Sequence, residues 1–176
     1  MRVSNVHERE LNATVDEVGA LVNSLASGRD GLWPGAIWPS MRLDRPLGVG
    51  AAGGHGPVRY VVEAFDPGRM VKFRFTEPKG FDGHHWFEVV PRGERFAVLR
   101  HSLQIDARGS ALISWPLVFR PLHDALIEDA LALAQTSLGL PSAVRPWSPW
   151  VQFLRWVLSR GKVRRQSAPR SIAGGS

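Results

Sequence analysis

The segment over residues 111–138 has the longest helical pattern of apolar residues in the chain. These residues recur every three or four positions, and they are Trp115, Phe119, Leu122, Leu126, Ala130 and Leu133. The opposite side is charged, which predicts a solvated face made of Arg120, Asp124 and Glu128. Pro116 and Pro121 fall in the first turns, so we expect the regular helix to begin nearer residue 117 or to be kinked there. A long helix with one apolar side must cover another apolar layer.

That layer is predicted to be an antiparallel sheet directly before the helix. From residue 57 the apolar period switches to two. The strands that this pattern predicts span residues 58–65, 69–76, 84–90 and 94–106. Because short turns separate them, they form a meander with one covered face and one wet face. A further strand is predicted over 2–11, and a capping box from Thr14 to Glu17 opens an amphipathic helix over 15–26.

Two other regions have a different character. Residues 28–57 are rich in glycine and proline, so we expect an ordered loop with two Trp-Pro pairs and one short strand around 43–51. Near the other end, Ser148 and Pro149 provide a cap and a first helical position. The short helix that follows has one apolar face, formed by Trp150, Phe153, Leu154, Val157 and Leu158. This face would serve docking on the domain or on a membrane equally well.

Length and composition exclude several classes of protein. A chain of 176 residues with 44% hydrophobic residues suits one folded domain. We expect that domain over 1–139, a short amphipathic helical appendage over 140–160 and a disordered basic tail over 161–176. The absence of cysteine excludes disulfides and cysteine-ligated metals. No run of 18 apolar residues and no apolar leader is present, so we expect a cytoplasmic protein with peripheral membrane association as an alternative.

The positive charge is confined to the C-terminal region. From residue 140 onward there are seven arginines and lysines and no acid, out of 22 basic residues in all. Residues 1–139 therefore hold 15 bases against 16 acids. This near-neutral balance argues against nucleic-acid binding by the core domain, and it leaves open a contact between the tail and an anionic surface.

The order of these elements resembles the helix-grip fold of the START-like superfamily, also called SRPBCC, and within it the polyketide cyclase/dehydrase and lipid-transport group. The resemblance covers roughly residues 2–138, and its segments are 7–11, 14–25, 56–60, 67–69, 71–76, 100–103 and 115–133. It implies an α+β fold in which a curved antiparallel sheet wraps around a long C-terminal helix. It also implies an apolar cavity between the two. The Trp-Pro loop and the Trp-rich tail depart from the minimal family pattern.

Alternation along the strands predicts which side chains face the helix. With the helix residues opposite them, the candidate ligand contacts are Tyr60, Val62, Val71, Phe73, Phe75, His85, Phe87, Leu99, His101, Leu103, Trp115, Phe119, Leu122 and Leu126. Most are apolar, with three polar tips at Tyr60, His85 and His101. Such a surface suits a hydrophobic ligand that is held by a few hydrogen bonds. The same pattern is also compatible with a filled core. The loop with Trp33 and Trp38 is expected near one mouth of the cavity.

Three functions follow from this interpretation. The first is binding or carriage of a small lipid- or polyketide-like molecule. The second is a cyclase or dehydratase that uses His101 or Tyr60, because a histidine near its usual pKa suits proton abstraction next to a carbonyl. No carboxylate on the face of His101 obviously orients it. The third is a peripheral membrane or interaction protein that acts through the segment from Trp147 to Arg165.

Two motifs have weaker support. Residues 48–53 match G-x-G-x-x-G, but a strand follows, so no helix N-terminus can meet a phosphate. His84 and His85 point to opposite faces of a strand, so they cannot share a metal ion with Glu88. We therefore predict no cofactor and no metal.

Overall fold

One antiparallel sheet of seven strands forms the body of the computed structural model, which describes residues 1–142 and 144–159. The strands are β1 (Arg2–Leu11), β2 (Arg42–Leu43), β3 (Ala52–His55), β4 (Val58–Asp66), β5 (Met70–Glu77), β6 (Phe81–Pro91) and β7 (Ala97–Ala107). Their order across the sheet is β1-β7-β6-β5-β4-β3-β2. The predicted strand at the start of the chain and the predicted meander are confirmed. The prediction of a strand around residues 43–51 is wrong, because this stretch is mainly the turn that joins β2 to β3.

The helices cover one face of this sheet. They are α1 (Val15–Asn23), α2 (Ala111–Ser114), a π-helical segment (Trp115–Phe119), α3 (Arg120–Ser137) and α4 (Pro149–Leu158). The capping box of α1 is present, since the Thr14 hydroxyl accepts from the Glu17 amide and the Glu17 carboxylate accepts from the Thr14 amide. The predicted irregularity near Pro116 and Pro121 takes the form of the π-helical segment. Together these elements form the helix-grip fold that the sequence predicts.

The end of the sheet beneath α1 is filled with side chains. Val18 and Val22 of α1 are fully buried, and they pack in one apolar cluster with residues from the strands and from α3. Gly19 permits this close approach, because a Cβ atom there would lie 2.3 Å from the carbonyl oxygen of Gly68. The Gly68 amide also donates to Asn23 at 2.7 Å. Helix α1 therefore closes this end of the sheet.

Helix α4 docks on the domain through an interaction that Pro121 creates. Proline has no N–H, so the carbonyl of Leu117 loses its usual helical donor. The indole N–H of Trp150 donates to that carbonyl at 2.8 Å. On α4 itself, the side chains of Val151 and Leu154 are buried against the domain, whereas about half of the surface of Trp150 and Phe153 is exposed. Of the residues expected to dock this helix, Leu154 is buried and Trp150 contacts the domain through its indole N–H, whereas Phe153 points outward; Val151 and Arg155 complete the docking face.

A cluster of aromatic and charged groups fixes α4 in place. The Arg155 guanidinium lies against two indoles, 4.0 Å from the ring centre of Trp38 and 4.1 Å from that of Trp147, and the two indoles meet edge to face. Both indole N–H groups donate to the same carboxylate oxygen of Asp129, at 2.7 and 2.8 Å. Arg155 also donates to the carbonyl of Ile37. This arrangement joins the Trp-Pro loop, α3 and α4.

Two sequence predictions concern the membrane and the tail. In the part of the chain that the structure describes, no helix combines the length and the apolar character needed to cross a bilayer. The predicted disordered tail over 161–176 lies outside the described residues.

Candidate ligand-binding cavity

An apolar cavity of about 770 Å³ lies between the sheet and the helices, at the end away from α1. Its floor is formed by Phe75, Phe81, His85, His101 and Leu103 of β5, β6 and β7. The facing helical wall consists of Trp115, Val118, Phe119, Leu122, His123, Leu126 and Ile127. Residues of the Trp-Pro loop, of the β3–β4 turn and of α4 complete the enclosure. The volume is ample for a drug-sized molecule.

The structure divides the predicted ligand contacts into two groups. Eight of them line the cavity, namely Phe75, His85, His101, Leu103, Trp115, Phe119, Leu122 and Leu126. The other six lie in the filled core instead, namely Tyr60, Val62, Val71, Phe73, Phe87 and Leu99. None of these six borders the cavity, so contact between them and a ligand stays a prediction. Alternation predicted that they face inward, and their burial agrees.

Several cavity residues were not among the predicted contacts. Trp33, Ile37 and Trp38 reach the cavity from the Trp-Pro loop, as the expected position of that loop near the mouth suggested. Arg155 and Leu158 reach it from α4. His123 is the most consequential omission. It lies three residues before Leu126 and one after Leu122, so its helical position on the apolar side was a signal available in the sequence.

Three histidines lie together on the cavity wall. His85 Nδ1 and His101 Nε2 are 3.3 Å apart, and the ring centres of His101 and His123 are 5.0 Å apart. The second ring nitrogens, His85 Nε2, His101 Nδ1 and His123 Nε2, are buried without a hydrogen-bond partner in the described part of the chain. Buried polar atoms are normally paired, so these three unpaired ring nitrogens are the main polar feature beside an otherwise apolar cavity.

Burial makes these imidazoles neutral at pH 7. It lowers the pKa of His85 and His101 well below the usual histidine value, and charge on neighbouring histidines lowers it further. Burial also lowers the pKa of His123, and this effect outweighs the hydrogen bond to Asp124, which raises it. A neutral imidazole has one N–H and one lone pair. Since His85 and His101 share one hydrogen bond between them, the pair retains one free N–H and one free lone pair.

Behind His123 the polar side of α3 meets strand β1. His7 Nε2 lies 3.1 Å from Asp124 Oδ1, and His7 Nδ1 lies 3.0 Å from Glu128 Oε1. Arg9 donates to Glu128 at 2.8 Å, and Asn5 donates to Asp124 at 2.9 Å. The prediction that Asp124 and Glu128 form a solvated face is therefore wrong, because β1 folds against this side of the helix.

These contacts shift the pKa values of the paired groups in opposite directions. Burial alone would lower the pKa of His7, but its hydrogen bonds to Asp124 and Glu128 prevail and raise it. Burial alone would raise the pKa of Asp124, but hydrogen bonds from His123, His7 and Asn5 prevail and lower it. Asp124 is thus an anion next to His123.

One group of side chains has donor atoms near enough to one another for a metal ion. In the described part of the chain these are His7, His123 and Asp124, with candidate atoms within 4.8 Å of each other. Hydrogen bonds already account for the arrangement, because Asp124 Oδ1 accepts from the other two residues and from Asn5. The sequence-based expectation of no metal stays a prediction. His84, by contrast, pairs with Glu63 on the outer face of the sheet, away from His85.

Tyr60 occupies a different environment from the one predicted. Its hydroxyl lies 3.2 Å from His55 Nδ1, and its ring packs on Phe73 in the filled core. Burial raises the pKa of Tyr60 above its usual range, and burial lowers the pKa of His55 to about 3. Of this pair, only His55 lines the cavity.

Comparison with solved structures identifies the class of fold. A norcoclaurine synthase from Thalictrum flavum superposes with a TM-score of 0.60 at 21% identity, over 80% of this chain and 96% of that one. CalU16 from Micromonospora echinospora gives 0.57 at 17% identity, over 90% and 84%. A protein from Thermobifida fusca gives 0.60 at 18% identity, over 81% and 97%. The chain thus has the same helix-grip fold as these proteins, and the fold that the sequence resemblance implies is confirmed.

Sequence comparison gives no more specific identification. No protein-family model and no curated protein matches the chain. At these identities the structural likeness defines the fold alone, so the function is argued from the cavity itself.

Proposed function

We propose that this protein binds a small, uncharged, largely apolar molecule that has one polar group. The observation that supports this most directly is the cavity of about 770 Å³ beside three buried imidazole nitrogens that have no hydrogen-bond partner among the described residues. The apolar body of the ligand would contact aromatic residues such as Phe75, Phe81 and Phe119. Its hydroxyl or carbonyl group would reach the histidines.

The charge of the cavity lining favours a neutral ligand. The four histidines on the wall are neutral at pH 7, because burial lowers their pKa values. Arg155, the one charged residue on the described wall, is engaged by two indoles and a carbonyl. One structure of norcoclaurine synthase is described in complex with dopamine, an aromatic amine, and hydroxybenzaldehyde, a neutral aromatic molecule with two oxygen atoms. Lipid- and polyketide-like molecules share this combination of an apolar body and a few oxygen atoms.

The polar end of the cavity can be tested with two matched probes. We expect 2-naphthol to bind about 3- to 10-fold more tightly than naphthalene in equilibrium dialysis, since one hydrogen bond contributes about 0.5–1.5 kcal/mol. His101→Leu should reduce the affinity for 2-naphthol to that for naphthalene and leave naphthalene unaffected. Equal affinities of the unmodified protein for both probes would contradict a polar site at the histidines.

The location of the ligand can be tested by filling the cavity. Leu122→Trp should weaken the binding of both probes at least 10-fold, because the indole would occupy the space between Phe119 and Leu126. Leu112→Trp is the matched control, since Leu112 is exposed on the outside of α2. If the two variants bind the probes equally well, the proposed cavity is not the binding site.

An enzymatic function is the first alternative, and the structure changes its residues. His101 lines the cavity and remains a candidate, whereas Tyr60 lies in the filled core with its hydroxyl next to His55. A cyclase or dehydratase that depends on the Tyr60 hydroxyl would lose turnover in Tyr60→Phe. We expect this variant to change ligand affinity less than 2-fold, because the hydroxyl does not reach the cavity.

Attachment to an anionic membrane surface is the second alternative, and one surface favours it. Trp150, Phe153 and Trp156 form a stacked row on the outside of α4, with successive ring centres 5.5 and 6.4 Å apart. Trp156 is 57% exposed, and the sequence continues with Arg160, Lys162, Arg164 and Arg165. Tryptophan prefers the membrane interface, and each basic residue near an anionic surface adds about 1 kcal/mol.

Sedimentation with lipid vesicles tests this alternative without removing α4 from the cavity wall. We expect binding to vesicles that contain phosphatidylserine, weaker binding to pure phosphatidylcholine, and a loss of at least 10-fold in Phe153→Gln/Trp156→Gln. Arg164→Gln/Arg165→Gln should reduce only the dependence on phosphatidylserine. Sedimentation that is the same for all variants and both lipids would refute attachment through this surface.

A further inference from the structure

His55 differs from the other three histidines of the cavity wall in having a ring nitrogen that a ligand can reach. Its Nδ1 lies 3.2 Å from the Tyr60 hydroxyl. In the described part of the chain its Nε2 has no partner and, unlike the unpaired nitrogens of the other three, keeps accessible surface. We infer that His55 Nε2 donates a hydrogen bond to the ligand of this cavity, and that this ligand is a neutral carbonyl compound. The inference rests on the proposed function, because it requires a ligand in the cavity.

The fold holds the His55 ring in one orientation. His55 is paired with Val58 across the turn between β3 and β4, and its side chain lies on the inward face of the sheet. Its ring centre is 4.6 Å from that of Trp33 and 5.7 Å from that of Tyr60. Trp33 is itself fixed, since its indole N–H donates to the carbonyl of Pro39 at 2.9 Å. A ring that is packed on two sides is preorganised, so binding to its free nitrogen costs little conformational entropy.

The Tyr60 hydroxyl determines which nitrogen of His55 carries the proton. Tyr60 is 1% exposed, and burial raises the pKa of its hydroxyl above the usual range, so the hydroxyl retains its proton. That buried proton needs an acceptor, and among the described residues His55 Nδ1 is the one within hydrogen-bond distance. Tyr60 therefore donates to Nδ1, and the N–H of the neutral ring is on Nε2. Tyr60 is thus a positioning residue for this donor.

The surroundings of His55 keep its ring uncharged. Burial lowers the pKa of His55 to about 3, and charge on His123 and Arg59 contributes in the same direction. At pH 7 the ring therefore donates a hydrogen bond without carrying a positive charge. A carboxylate would have to leave water for this apolar wall, where Arg155 is already engaged by two indoles and a carbonyl. The site therefore favours a neutral acceptor over an anion.

The class of ligand follows from a neutral N–H donor in an apolar wall. A carbonyl oxygen accepts from such a donor and has no proton of its own that needs a partner. With this oxygen at His55, the rest of the molecule would contact aromatic residues such as Phe75, Phe81 and Phe119. Ketones, aldehydes, esters and lactones with an apolar body have this combination of groups.

Two probes of the same shape test this contact in equilibrium dialysis with the full-length chain. 2-Acetylnaphthalene has a carbonyl group, and 2-isopropenylnaphthalene has a methylene group in place of its oxygen. The variant His55→Leu/Tyr60→Phe removes both hydrogen-bonding partners, so no buried hydroxyl is left unpaired. We expect it to lower the affinity for the ketone, relative to that for the hydrocarbon, about 3- to 10-fold, the usual effect of one hydrogen bond. His84→Leu, on the outer face of the sheet, is the matched control and should leave this ratio unchanged.

The tautomer of His55 can be observed by nuclear magnetic resonance. Long-range nitrogen–proton correlation spectra of the unmodified protein should show the proton on His55 Nε2. In Tyr60→Phe the spectra should shift toward a mixture of the two tautomers, because no donor then holds Nδ1 as an acceptor. A proton on Nδ1 in the unmodified protein would overturn the inference, and identical spectra for Tyr60→Phe would contradict the positioning role of Tyr60.

Binding of the hydrocarbon probe separates failure of the inference from failure of the proposed function. If Leu122→Trp weakens both probes and the His55→Leu/Tyr60→Phe variant leaves their affinity ratio unchanged, the inference fails and the proposed function stands. If neither probe binds the unmodified protein, the proposed function fails, and the inference fails with it. Retained affinity for the hydrocarbon shows that the double variant is folded. 2-Naphthoate, an anion at pH 7, should bind about 10-fold more weakly than the ketone, and tighter binding would overturn the assignment of a neutral ligand.

Discussion

The two ends of the sheet–helix interface are built from similar sequences and have opposite packing. Phe73 and Phe75 are two residues apart on the same face of β5, and both stack on His85 with ring centres 4.9 Å apart. Phe73 is 0% exposed in the filled core, whereas Phe75 lines the cavity. What differs is the covering element, because α1 packs above one end and not above the other. The inward face of a strand therefore does not define whether a residue is core or binding surface.

The largest expected effect tests this contrast directly. Phe73→Ala should lower the free energy of unfolding by about 3–5 kcal/mol, because it leaves a void in a filled core. Phe75→Ala should cost less than half as much, since part of its ring borders space that is already empty. Urea unfolding followed by circular dichroism measures both. Equal losses would show that the two ends are packed alike.

The contrast also explains how far the sequence could predict the site. Alternation along β5, β6 and β7 correctly predicted which side chains are on the face of the sheet that the helices cover. It could not separate Phe73 from Phe75, because the pattern is the same at both positions. The difference depends on how close α1 approaches the sheet, and this is set by contacts such as that between Gly19 and Gly68.

The next effect concerns the side of the cavity that α4 closes. Arg155→Met keeps an unbranched side chain but removes the cation that lies against the two indoles and attracts Asp129. We expect a loss of about 2–4 kcal/mol in the free energy of unfolding, since a buried charge loses its partner. Arg155→Lys should recover only part of it, because an ammonium group lacks the planar guanidinium that stacks on an aromatic ring. Trp156→Gln on the exposed side is the control, with a change of less than about 0.5 kcal/mol.

The polar part of the site was the least predictable. His7 and Asp124 are 117 positions apart, so no spacing rule connects them. Helical periodicity placed Asp124 and Glu128 on the polar side of α3, which is correct. It predicted solvent there because the position of β1 against this side is a property of the tertiary structure. His101 was expected to lack an orienting carboxylate, and the structure places a carboxylate behind His123 instead.

The buried histidines around the cavity should make the stability of the folded protein sensitive to acid. His55, His85, His101 and His123 have lowered pKa values in the folded state, so the stability they provide is present above pH 6.5 and is lost as the pH falls. Below pH 6.5, each of these histidines contributes up to about 1.4 kcal/mol per pH unit to the fall in the free energy of unfolding. His7 has the opposite sign, because its raised pKa gives stability that is complete below pH 6.5 and is lost as the pH rises.

Two variants resolve these opposite contributions. The free energy of unfolding of the unmodified protein should fall between pH 6.5 and 5. His101→Leu should reduce this slope by about 1.4 kcal/mol per pH unit, the share of one histidine. His7→Gln should instead remove stability that is greatest at low pH, and so steepen the slope just above pH 6.5. Parallel curves for the unmodified protein and His101→Leu would mean that His101 is not buried in its neutral form.

The smallest expected effect on stability is at the cavity wall. Val118→Phe adds a ring that can enter the empty space, so we expect the free energy of unfolding to change by less than about 1 kcal/mol. Val22→Phe makes the same change in the filled end, where Val22 is 0% exposed, and should cost about 1–3 kcal/mol because no space is available. The effects of the two variants on ligand binding should have the reverse order. Val118→Phe should lower the affinity for 2-naphthol at least 10-fold. Val22→Phe should leave this affinity unchanged under conditions where the protein remains folded. A severe loss of stability in Val118→Phe would mean that the cavity is occupied by side chains in solution, which would remove the distinction between the two ends.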